Sequence, residues 1–230
     1  MKEEPSIRPE PDPDTAEDGV NETPDESESG LRRARALETE GRLEEAVQVY
    51  RELLSRDPSH LKARNNLGVL QDRMGNHEAA LEHFRTALEI EPENPELLGN
   101  LGAALGALAR FDEAEKVLRR AMRLDPSRVD VRANLGILHF RRGLYAQAES
   151  ELRWVCERDP EHGMAHFYRG EALNRLGRID EALESLESAS RLQPRNAKIY
   201  YVMGILYDRK HLPEEAGAMY RRARELSGDQ

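Results

Sequence analysis

His162 and His166 stand four residues apart, the spacing at which two imidazoles on one helix face can share a metal ion. His162 follows Pro160 in what reads as a turn, and no cysteine or carboxylate completes the set at a ligand spacing. The single cysteine, Cys156, rules out a disulfide within the chain. No phosphate loop, dinucleotide fingerprint or nucleophile elbow occurs. The many Asp and Glu residues have Lys or Arg three or four residues away, the pattern of solvated helix faces. The expectation is therefore a non-catalytic protein with no metal and no cofactor.

What recurs is recognition chemistry. Asn66, Asn100 and Asn134 are spaced by 34 residues. Each amide offers donor and acceptor, so a row of them can hold an extended peptide backbone without reading its side chains. Arg73, Arg141, Arg175 and Arg209 keep the same register, with Ala107 in the gap. Their guanidinium groups suit either the negative end of a helix or the carboxylates of a partner. Phe140, Phe167, Tyr168 and Tyr201 add the aromatic surface from which interface hot spots are made.

The elements that must carry these residues follow from the same period. Pro58, Pro92, Pro126, Pro160 and Pro194 are each 34 residues apart, as are Gly68, Gly102, Gly136, Gly170 and Gly204. Ala46, Ala80, Ala114, Ala148, Ala182 and Ala216 share the spacing. Six units result: 27–60, 61–94, 95–128, 129–162, 163–196 and 197–230. In the second, Leu61–Met74 reads as one helix, Gly75-Asn76 as a turn and His77–Glu91 as another, with Ala80, Leu81, Phe84, Ala87 and Leu88 at helical spacing. Pro92 prevents continuation. The recurrent small residues let the two helices cross closely, against Tyr50, Phe84, Leu118, Leu152, Leu186 and Tyr220. One hairpin cannot bury its apolar face alone, so neighbours must stack.

Leu67-Gly68, Gly75, Ala80, Phe84, Ala87 and Pro92 together resemble the tetratricopeptide repeat (TPR), and the pattern covers 27–230. The resemblance implies an all-α fold, a right-handed solenoid of six antiparallel helix-turn-helix repeats. It also implies that the first helix of each unit lines a concave groove where a protein or peptide binds. The groove residues expected on that basis are Arg35, Asn66, Arg73, Asn100, Asn134, Phe140, Arg141, Phe167, Tyr168, Arg175, Tyr201 and Arg209. The asparagine row resembles the ladder in the repeat superhelix of O-linked N-acetylglucosamine transferase. Gly99, Ala103, Gly106 and Ala107 leave the middle of the groove roomy, between an arginine end and an aromatic and arginine end, so a peptide with acidic and apolar anchors fits best.

Departures from the pattern matter. Ala34 replaces the first unit's helix glycine, Ala109 a turn glycine, and Gly228 the last proline. The family's carboxylate clamp for chaperone tails is missing: Asn65 stands where a basic residue is needed, Val69 replaces an Asn, and Asp130 and Asn134 replace Lys and Arg. Arg224 ends the series Leu54, Leu88, Met122, Cys156, Ser190, as suits a terminal repeat. Self-assembly through terminal repeats, or service as a regulatory subunit of an enzyme complex, are the alternatives to an adaptor.

Charge is unevenly spread. Residues 1–30 hold eleven Asp/Glu against two Lys/Arg, while the other 200 of the 230 residues are nearly neutral. A neutral array offers no field to draw in nucleic acid. Five prolines and few large apolar side chains in 1–26 predict a disordered acidic tail, a candidate arm that competes for the groove. The opening Met-Lys-Glu-Glu-Pro has no apolar leader, and Leu97–Ala109 is too short to span a bilayer. A cytoplasmic protein without membrane contact is expected.

Overall fold

The computed structural model describes residues 24–228. Within them lie twelve helices and no strand: α1 (Pro24–Thr39), α2 (Leu43–Arg56), α3 (Leu61–Arg73), α4 (His77–Ile90), α5 (Pro95–Ala107), α6 (Phe111–Leu124), α7 (Val129–Arg141), α8 (Tyr145–Arg158), α9 (Gly163–Arg175), α10 (Ile179–Leu192), α11 (Ala197–Arg209) and α12 (Pro213–Gly228). They pair in chain order as six hairpins, α1 with α2 through α11 with α12.

The chain divides into two units, 1–60 and 61–230. The first is the hairpin α1–α2, with Leu31, Ala34, Leu37, Ala46, Tyr50 and Leu53 buried. The Tyr50 hydroxyl donates to Glu38 Oε1 at 2.8 Å. The acidic tail expected over 1–26 lies, up to residue 23, outside the described residues. Residues 24–26 belong to α1 instead. Proline suits a first helical turn, where its missing N–H has no partner to lose.

The second unit stacks the hairpins α3–α4 to α11–α12. Close crossing within a hairpin depends on glycine: a Cβ on Gly102 would sit 2.5 Å from Leu118 Cγ, and one on Gly68 2.6 Å from Phe84 Cε1. Between hairpins, the second helix of one unit packs on the first helix of the next (α4 on α5, α6 on α7, α8 on α9). First helices of successive units also touch (α3–α5, α5–α7, α7–α9, α9–α11), whereas successive second helices make at most marginal contact among the described residues. The first helices thus form one close-set wall, on the inner side of this unit.

Polar clamps fix the stacking. Glu115 on α6 takes Arg119 at 2.6 Å and also pairs with Arg142, which reaches Asp112 at 3.2 Å. His139 on α7 is buried beside them, its Nε2 3.9 Å from Glu115. Buried Glu149 on α8 faces Arg169 at 3.5 Å and Arg178 at 3.6 Å. On the fourth hairpin Trp154 is stacked between the guanidinium groups of Arg132 and Arg158, 3.9 and 4.1 Å from its ring centre.

Caps end the loops. Asn94 accepts from the backbone N–H of Glu96 and Leu97 at the start of α5, and Asn196 from Lys198 at the start of α11. Asp125 accepts from the Ser127 backbone and hydroxyl, bonds that hold its carboxyl below the usual range.

Candidate functional site: the inner wall of first helices

A cavity of about 210 Å³ opens in the wall, among α5, α7 and α9. Its floor is Gly102, Ala103, Gly106 and Ala107, residues small enough to leave the space open. Ile137, Met164 and Tyr168 form apolar sides; Met164 is 42% exposed, unusual for a long apolar side chain. Asp72, His77, Asn134 and Arg141 make a polar rim, in which His77 Nδ1 and Asp72 Oδ1 lie 2.8 Å apart.

Three of the residues expected in the groove meet here: Asn134, Arg141 and Tyr168. Arg141 makes no hydrogen bond or ion pair among the described residues, so its guanidinium is available to a ligand. Asn134 has already used one N–H on the Gly99 carbonyl at 3.2 Å. Asn100 likewise donates to Asn65 Oδ1 at 2.9 Å, and Asn65 donates to Glu96 at 2.9 Å. Asn100 and Asn134 are thus first clamps between adjacent repeats, with one N–H and the carbonyl oxygen left on each of these two amides. Asn66 is half-buried on α3, while Arg73 ends α3 and is exposed.

The arginine row is divided. Arg209 is bound to Asn174, 2.6 Å to its Oδ1, and Arg175 lies over the Tyr145 ring at 5.9 Å. Arg35 is exposed on α1, in the first unit.

The aromatic set needs correction. Tyr168 is braced edge-on by Phe140 and Phe167, with ring centres 5.3 and 5.2 Å away. Phe167 itself is only 8% exposed and packs with Leu173, Ile199 and Val202, so it is a core residue and not part of the groove. Tyr201 is 56% exposed but lines a different cavity, of about 470 Å³, with Tyr220, Ala223 and Arg224. The reason is positional. Residues at this repeat position face the next hairpin: a Cβ on Gly99 would meet Val131 at 3.0 Å, and Asn65 meets Asn100. Phe167 therefore enters the core between hairpins. The equivalent Tyr201 has no following hairpin over it among the described residues.

His162 and His166 are committed elsewhere. His162 Nδ1 accepts from the Ala165 backbone as the cap of α9, and His166 Nε2 lies 3.1 Å from the Pro160 carbonyl oxygen. Among the described residues no group of three His, Cys, Asp or Glu could hold a metal ion. Burial pushes the Cys156 thiol up to about 11, which keeps it protonated. Met164, Ile137, Asp72 and His77 were not anticipated. For Ile137 the signal was the register itself, since it repeats Ala103 at 34 residues.

The family model for the cilia and flagella-associated protein 70 C-terminal domain matches residues 12–230. The chain belongs to this family of tetratricopeptide-repeat domains. No curated protein matches the sequence. Among solved structures, the chain is similar to a tetratricopeptide repeat protein from Parabacteroides merdae, at 21% identity and a TM-score of 0.72, over 91% of this chain and 81% of that one. It is also similar to MamA from Desulfovibrio magneticus, at 24% identity and TM-score 0.62, over 74% and 96%. A third likeness is to the anaphase-promoting-complex assembly Cut9–Hcn1, at 17% identity and TM-score 0.83. It covers 92% of this chain, which spans 42% of the Cut9–Hcn1 chain. These identities speak for the fold alone. Arrays of this kind are scaffolds for protein–protein interaction, typically without catalysis of their own. Among the described residues no helix is long and apolar enough to cross a membrane.

Proposed function

We propose that residues 61–230 act as an adaptor that binds an extended segment of a partner protein along the inner wall of first helices. The observation that carries this reading is the cavity over Gly102, Ala103, Gly106 and Ala107. At about 210 Å³ it is smaller than the roughly 300–1,000 Å³ usual for small-molecule sites. It suits one apolar side chain of a peptide, gripped by Ile137, Met164 and Tyr168. Arg141 on the rim supports a carboxylate as the second anchor, and the spare donors and acceptors of Asn100 and Asn134 suit the peptide backbone.

Filling the cavity tests this. Ala107 is half-buried at the cavity floor, so Ala107→Phe occupies the space without entering the core. Peptides selected from a random library on the intact chain should bind A107F at least tenfold more weakly by fluorescence anisotropy, at unchanged helicity. Equal affinity would remove the cavity from the binding surface.

A second reading, self-association, is favoured by one observation: the apolar cavity beside exposed Tyr201 on α11–α12.

A further inference from the structure

One position on the inner wall runs Val69, Ala103, Ile137, Glu171 and Ile205, each 34 residues from the next. Ala103 and Ile137 both line the cavity described above. Glu171 holds the equivalent place on α9, one helical turn beyond Tyr168. A carboxylate therefore interrupts an otherwise apolar stripe of the wall.

Glu171 is half-buried, and among the described residues it makes no hydrogen bond and no ion pair. Its natural partner would be Arg175, four residues on, the spacing at which Glu followed by Arg pairs along a helix. The Arg175 guanidinium is placed over the Tyr145 ring instead. Burial raises the pKa of Glu171, and Arg175 offsets only part of that effect. An unpaired, half-buried carboxylate costs the folded protein stability, so packing does not account for it.

We infer that Glu171 is a specificity residue of the inner wall, where it receives a lysine or arginine side chain of the bound partner segment. This rests on the groove reading and deepens it. The partner segment then carries an apolar anchor for the cavity over Ala103 and Ala107, and a cation for the next repeat along. Arg141 and Glu171 set side chains of opposite charge on neighbouring repeats, the second beside the exposed Arg175, so the wall selects for the order of charges along the partner as well as their presence.

The test pans one random peptide library, displayed on phage, against the intact chain and its E171Q and E171K variants in parallel. The wild-type selection should concentrate Lys or Arg at one position relative to the apolar anchor. E171Q should lose that preference, and E171K should exchange it for Asp or Glu. A peptide selected on the wild type should bind E171Q at least tenfold more weakly, while unliganded E171Q melts at a higher temperature than wild type at pH 7. A purely structural role would not combine weaker binding with a more stable free protein. The same Lys and Arg frequency on wild type and E171Q overturns the inference. If those peptides are still lost on A107F, the groove reading survives that failure. Peptides indifferent to both variants, or a library from which nothing is enriched, overturn the two together.

Discussion

Ala109 and His211 adopt φ of 57° and 58°, in the left-handed region, at the turn places where Gly41, Gly75, Gly143 and Gly177 have φ between 77° and 83°. A side chain there costs about 1–2 kcal/mol, part of which returns through the lower unfolded-state entropy of a non-glycine residue, roughly 0.4–1 kcal/mol. Ala109→Gly should therefore stabilise by about 0.5–1 kcal/mol, a rise of about 1–4 °C in melting temperature. Calorimetry checks this, and a lower value would mean that the turn carries no strain at Ala109. The glycine period made this place legible as a turn, and Ala109 as a departure from it. The residues that bond across the stack were not legible in the same way. Asn100 and Asn134 could be found by type and spacing, but their use of Asn65 and the Gly99 carbonyl depends on how two hairpins meet.

At the scale of elements, α6 and α7 meet over His139, which has no hydrogen bond to either ring nitrogen. Burial lowers its pKa, more than Glu115 and Glu151 raise it, and Arg119 and Arg142 lower it further. The fold thus binds the proton less well than the unfolded chain, whose histidines titrate near ~6.5. Stability is fully present above that value and is lost as pH falls below it through the lower folded-state pKa. The melting temperature of the wild type should drop between pH 7 and pH 5. His139→Leu should be at least as stable at pH 7 and should lose less at pH 5; parallel pH curves for the two proteins would exclude His139 as a source of acid sensitivity. His166 shifts in the same direction and leaves some pH dependence in the variant. The helical hairpin was readable because 34-residue punctuation and helical periodicity agree: in the second unit Leu61–Met74 and His77–Glu91 were expected, and α3 is Leu61–Arg73 and α4 His77–Ile90. The side chosen by each aromatic was not. The family resemblance puts adjacent Phe167 and Tyr168 both in the groove. Stacked hairpins have two kinds of core, one inside the hairpin and one between neighbours, and Phe167 fills the second.

At the scale of the whole molecule, two surfaces are open to another chain. The inner wall and the α11–α12 cavity make separable predictions. If the Tyr201 surface joins copies, sedimentation should give a mass that rises with concentration, and Tyr201→Glu should hold the protein at the monomer mass. A monomer at every concentration would leave the inner wall as the binding surface. Stability in such stacks is close to a sum of hairpin and neighbour terms, so distant hairpins need not open together. That gives Trp154 an unplanned value. It is the chain's one indole, held between two arginines of the fourth hairpin. Its emission is a local spectroscopic probe, able to report the opening of one hairpin while circular dichroism averages over all six.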